Sequence, residues 1–143
     1  MCENSTVFTI TGTTPAGGTW SGGSYIDSTG KFTPSSGSIG ANSVTYTVTQ
    51  NGCTSSKNAD VTINANPNPA LLTATADLDY CGIAGTTIQV TNIAGATYVW
   101  KKGTVAQAAT TNTISSATNG TYSVDVTLNG CTQTETDIVV TGN

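Results

Sequence analysis

The sequence predicts an all-β protein made of two tandem β-sandwich domains, and three observations carry that prediction. The chain repeats itself, its apolar residues alternate with polar ones, and its composition is that of strands and turns. In the first half Cys2 is followed eighteen residues later by Trp20, then by Val44, Tyr46 and Val48, ending in Asn51-Gly52-Cys53. In the second half Cys81 is followed nineteen residues later by Trp100, then by Tyr122, Val124, Val126 and Leu128, ending in Asn129-Gly130-Cys131. Cysteine separations of 51 and 50 residues with the same punctuation mean two copies of one small unit. The domains are accordingly placed at residues 1–66 and 67–143; the second has a strand ahead of its cysteine where the first begins almost at Cys2, so either this repeat type lacks that strand or it has been cut away.

No stretch carries apolar residues at helical spacing over three turns, whereas period-2 alternation recurs throughout. Thirty of the 143 residues are threonine and twelve are charged. Threonine favours strands and gives a sheet a polar outer face without charge. In the first domain strands are expected near 5–11, 17–21, 24–27, 30–33, 43–50 and 53–63. In the second they are expected near 71–78, 86–92, 96–102, 109–114, 120–128 and 131–141. The firmest local signals are Asn51-Gly52 and Asn129-Gly130, which tolerate positive φ at both central positions and so suit two-residue hairpin turns. Many short strands at this spacing indicate a sandwich. The segment Asn64-Ala65-Asn66-Pro67-Asn68-Pro69 reads as a linker, its prolines stiffening it toward an extended path that sets the domains end to end.

Units of this size bury too little to be stable by core alone, and a covalent staple is common among them. Two cysteines per repeat fit that need. A disulfide closing a loop of about 50 residues contributes roughly 4 kcal/mol by the chain-entropy estimate. A four-thiolate zinc site would want close cysteine pairs, and the sequence has none. Disulfides imply an oxidising, extracytoplasmic home. A net charge of −4 with four Lys/Arg argues against nucleic acid as a partner. No apolar run approaches the length of a membrane span. Met1 abuts Cys2 with no leader before it, so the chain reads as an excised piece of a longer secreted protein.

Enzymatic chemistry finds little purchase here. The chain has no histidine, the commonest general base and neutral metal ligand. No serine sits in a Gly-x-Ser-x-Gly elbow. The eight carboxylates are scattered, where a glycosidase needs two facing each other across a cleft. No enzyme activity and no cofactor are expected. Trp20 and Trp100 fit the central aromatic of each sandwich core. An exposed Trp100 flanked by Tyr98 is the alternative, a flat platform on which a sugar ring stacks. Asp77 and Asp79 fall on one side of a strand near the domain junction and are weak calcium candidates. Lys31, Lys57, Lys101 and Lys102 read as solubilising surface charge.

The run Gly-Gly-Thr-Trp-Ser-Gly (17–22), Ser-Thr-Gly-Lys-Phe-Thr-Pro (28–34), Val-Thr-Tyr-Thr-Val (44–48) and Asn-Gly-Cys (51–53) resembles immunoglobulin-like repeats of giant Bacteroidetes surface proteins. The second copy, with Tyr-Val-Trp (98–100), Gly-Thr-Tyr-Ser-Val-Asp-Val (120–126) and Asn-Gly-Cys (129–131), looks like a sister type. Such repeats occur in gliding adhesins of the SprB kind that leave the cell by type IX secretion. The resemblance covers nearly the whole chain. It implies immunoglobulin-like sandwiches, bridges Cys2–Cys53 and Cys81–Cys131, and O-glycosylation at Ser28 within Asp27-Ser28-Thr29. The expected role is a disulfide-stapled stalk spacer at the cell surface, monomeric and flanked by further repeats. Any surface polysaccharide or substratum would be met through the parent protein. A carbohydrate-binding module with Trp100 or Tyr98 as its platform is the alternative.

Overall fold

Two Asn-Gly turns set the longest ladders of the protein. Asn51 and Asn129 both have φ of 51°, and the glycines after them have φ of 80° and 78°. Positive φ at both central positions is the backbone of a type I′ turn, whose twist matches that of the strands it joins. The computed structural model describes residues 1–72, 79–80 and 86–142. The chain divides into two compact units, Met1–Ala65 and Asn66–Asn143.

The first unit contains β1 (Phe8–Thr9), β2 (Thr19–Ser21), β3 (Lys31–Phe32), a short 3-10 turn at Ser36–Ser38, β4 (Gly40–Gln50) and β5 (Cys53–Ile63). One sheet pairs β1 with β3, and the other has the order β2-β4-β5. All pairings within them are antiparallel. Trp20, Phe32, Val44 and Ile63 form the buried core, with Phe8, Ile10, Tyr25, Ile26 and Tyr46 packed against it. β3 is short because Gly30, at φ of 85°, turns the chain just before it and Pro34 follows two residues after its end. The strand expected at 24–27 is a turn instead. Ile26 N–H bonds back to Gly23 O, and Asp27 Oδ1 accepts the amides of Thr29 and Lys31, which folds the chain on itself.

The second unit contains β6 (Asp79–Tyr80), β7 (Thr86–Gln89), β8 (Thr97–Lys102), β9 (Val105–Ala106), β10 (Thr113–Ala117), β11 (Gly120–Leu128) and β12 (Cys131–Gly142). A five-stranded sheet has the order β6-β12-β11-β8-β9, and β7 pairs with β10. Their facing residues make a larger core around Trp100, with Ile88, Val90, Ile114, Val124, Val126, Ile138 and Val140. β9 was not anticipated. It arises because Gly103, at φ of 56°, lets the chain reverse so that Lys102 pairs with Val105. β10 starts later than the alternation suggested, where Ile114 meets Ile88 across the ladder.

Each unit also has a parallel pairing between an early segment and the stretch at or just past the end of its last strand. Cys2 bridges Asn64, and β6 pairs with the end of β12 through Asp79↔Thr141 and Tyr80↔Gly142.

The ladder corrects the expected staple of the first unit. Cys53 pairs with Gln50 at the turn end of the hairpin, whereas Cys2 lies beside Asn64, just past the opposite end of β5. At about 3.3 Å per residue the length of β5 holds these positions roughly 36 Å apart. A disulfide joins Cα atoms about 4.4–6.8 Å apart. The Cys2–Cys53 bridge is therefore not made: Cys53 is a free, exposed thiol, while Cys2 is disulfide-bonded. Cys131 is disulfide-bonded and fully buried. Cys81 lies outside the described residues. Equal cysteine spacing in the two repeats carried no information about which end of a long strand each cysteine occupies.

Candidate functional site

The sugar platform anticipated at Trp100 and Tyr98 is not there. Trp100 is 0% exposed, and its indole N–H donates to Thr111 O at 2.8 Å. Tyr98 is 6% exposed, its hydroxyl donating to Thr91 O and accepting from Ile93 N–H. Both point inward because they pair with Val124 and Val126, which face the core. Asp77 lies outside the described residues, and of Asp79 the structure gives only its backbone pairing in β6. Among the described residues no group of three or more His, Cys, Asp or Glu comes together as a metal site would need. Ser28 is exposed on the turn after Asp27, while the neighbouring Thr29 hydroxyl is tied to Asp27 Oδ1 at 2.6 Å. That bond, followed by the one from Lys31 N–H, holds the Asp27 carboxyl below the usual carboxylate range.

A cleft forms instead in the first unit. Trp20 on β2 pairs with Tyr46 on β4, and Tyr46 pairs with Lys57 on β5. Directly opposed residues share a face of the sheet, so the three side chains form one row. The Trp20 and Tyr46 rings are 5.1 Å apart and tilted by 52°. The Tyr46 hydroxyl donates to Pro15 O and accepts from Gly18 N–H, both at 2.8 Å, which pins the loop before β2 beside the row. Gly18 lies so close to the Tyr46 ring that a side chain there would collide with it. Between loop and sheet lies a cavity of about 250 Å³, lined by Thr13, Thr14, Trp20, Tyr46, Lys57 and Asn58.

The chemistry of this lining is uneven. The Trp20 side is nearly closed, at 9% exposure, yet its indole N–H donates to no described residue, in contrast to that of Trp100. Lys57 is exposed and has no ion pair or hydrogen bond among the described residues. The lysines of β8 differ: Lys101 pairs with Asp125 at 2.6 Å, and Lys102 donates to Thr118 Oγ1 and lies over the Tyr122 ring. By sequence Lys57 reads as ordinary surface charge. The register could have placed it, because Tyr46 and Lys57 are equally far from the Asn51-Gly52 turn.

No family model and no curated protein matches the chain. Among solved structures it is similar to the extracellular domains 3–5 of Drosophila OTK, at 16% identity and a TM-score of 0.51, over 82% of this chain and 45% of that one. It is also similar to immunoglobulin domains 1–4 of Sidekick-1, at 15% identity and a TM-score of 0.45, over 100% of this chain and 46% of that one. The chain thus spans less than half of either protein. At such identity the likeness speaks for fold and not for ligand or role. The sheet orders make the protein all-β, and the likeness to the OTK domains gives it an immunoglobulin-like fold.

Proposed function

We propose that this chain is a force-transmitting spacer, two immunoglobulin-like repeats from a large bacterial cell-surface adhesin that serves attachment or gliding. The observation that supports it is the parallel pairing between an early segment and the end of each unit, Cys2 with Asn64 just past β5 and β6 with β12. Pulling such ends apart slides the paired strands along each other, so their hydrogen bonds are loaded together instead of opening one by one. In the first unit those bonds run from Glu3 N–H to Asn64 O at 3.0 Å and from Asn64 N–H to Met1 O at 2.7 Å. The proline-bearing linker suits transmission of tension because it has little slack to take up.

The outer faces fit an extracellular array of many copies. Cross-strand pairs Thr49–Thr54 and Thr127–Thr132 join hydroxyls at 2.8 and 2.7 Å, giving wet faces without charge. The disulfide-bonded Cys2 and Cys131 favour an oxidising compartment. Exposed Ser28 is the residue of this surface offered for O-glycosylation.

Force spectroscopy on a polyprotein with reduced disulfides tests the reading. Sixty-two peptide units separate Cys2 from Asn64, and sixty-two separate Asp79 from Thr141. At about 3.5 Å per residue each unit should release roughly 21 nm of chain in one event. Asn64→Pro removes the donor to Met1 O and should lower the force of the first unit's event alone. Extension without discrete force peaks, or peaks unchanged by Asn64→Pro, would refute the shear-loaded spacer.

A further inference from the structure

We propose that the Trp20–Tyr46–Lys57 cleft binds a carboxylate-bearing sugar, a uronic-acid unit either free or at the end of an acidic polysaccharide. The spacer reading does not require this site, and the site does not require the spacer. Its size comes first. A cavity of about 250 Å³ lies below the ~300–1,000 Å³ of drug-sized pockets, so it accommodates one ring and not a fused or extended ligand.

The lining then selects the ring. Trp20 and Tyr46 supply an aromatic wall whose π-faces are electron-rich and attract the C–H edge of a pyranose. Hydroxyls of Thr13 and Thr14 can each donate and accept, as sugar hydroxyls do. The Cδ1–Nε1 edge of Trp20 lies against Gly30, outside the cavity lining, so Trp20 gives the cleft its ring.

Lys57 decides for an acid over a neutral sugar. It lies on the Tyr46 face of β5, while the carboxylate of Asp60 on the same strand pairs opposite Ser43 and faces the other way. The ammonium therefore meets the cleft without local neutralisation. A phosphate would be expected to draw an arginine fork or a group of converging backbone amides, and the lining supplies one lysine among hydroxyls and rings.

Titration of the full, isotope-labelled chain with galacturonate and glucuronate, with galactose as the neutral control and trigalacturonate as the polymer probe, tests the site. A thirteen-atom ligand at the efficiency of ordinary ligands gives a Kd on the order of 1 mM. The Trp20 indole N–H and the Thr13 and Thr14 amides should shift saturably with the acids and much less with galactose. Lys57→Gln, an exposed change that preserves the fold, should weaken binding about fivefold, as should raising the salt to about 1 M. Tighter binding of trigalacturonate identifies a polysaccharide end as the natural source; equal binding identifies the free sugar. No saturable shift at Trp20 up to about ten times the expected Kd, equal response to galactose, or indifference to Lys57→Gln would each overturn the proposal.

Discussion

Deleting one oxygen from Tyr122 should destabilise the second unit far more than its surface neighbours would suggest. Tyr122 is two residues into β11, and its hydroxyl accepts from Thr118 N–H at 3.1 Å and donates to Thr118 O at 3.0 Å. The first unit meets the same need with a different side chain. Asn42, two residues into β4, donates from Nδ2 to Ser38 O at 2.7 Å, again four residues back, and reaches Gly40 O and Val61 O as well. In both units these bonds close the corner through which the chain enters the first strand of its Asn-Gly hairpin, and the tyrosine version is a device familiar from immunoglobulin-type sandwiches. Tyr122→Phe keeps the ring, which is 3% exposed, and removes two hydrogen bonds. Each contributes about 0.5–1.5 kcal/mol net, and exposed Thr118 regains water, so the loss is roughly 1–3 kcal/mol. For a unit of this size that lowers the melting temperature by about 4–24 °C. Asn42→Ala should cost the first unit at least as much, since Asn42 is 5% exposed and its partners include carbonyls that water reaches poorly. Thermal melting followed by NMR amide signals of β11 and β4 reads the two units separately. A Tyr122→Phe shift under about 2 °C would show that the corner bonds add nothing beyond what water supplies.

Cys53 should react with a maleimide in the native protein, and Cys53→Ser should leave stability within about 0.5 kcal/mol, as expected for an exposed position; a protected thiol would contradict the hairpin register. Trp100→Ala should cost about 3–5 kcal/mol, because it empties the centre of the larger core, and near-wild-type urea melting would refute that placement. The hydrogen bond from Lys101, and after it that from Thr134, holds the Asp125 carboxyl below its usual range. A depressed folded value means the contribution is fully present above the unfolded pKa of about 3.9 and fades as pH falls through the folded value. With side-chain exposures of 38% and 24% the pair is worth less than about 1 kcal/mol. Asp125→Asn should therefore flatten the acid limb of the stability curve slightly, and an unchanged limb would remove the pair from the account.

What was legible in advance was local chemistry. Asn-Gly at two places forced left-handed backbone, and alternation of Val and Tyr around it set the inward faces of β4 and β11. These depend on neighbours a few residues apart, where sterics and side-chain period act without help from the rest of the chain. The short strands were less legible, because β1, β3 and β9 are held by partners across the sheet and by turns at Gly30 and Gly103, not by their own few residues.

Tertiary structure alone decided the sites. Whether Trp100 lay bare or buried depended on β8 pairing with β11, which turned its ring toward the core. Whether Cys2 and Cys53 could meet depended on the length of β5, a distance that sequence separation around a closed loop does not measure. The row of Trp20, Tyr46 and Lys57 likewise needed β2 to meet β4, and the Asn42 corner needed Val61 O of β5, whereas the Tyr122 corner reaches only four residues back. The sequence by itself determined the β-rich framework and its two Asn-Gly hairpins, since turn sterics and side-chain alternation are local. Burial, cysteine geometry and the cleft were decided only when distant strands met, because each is a property of the space between them.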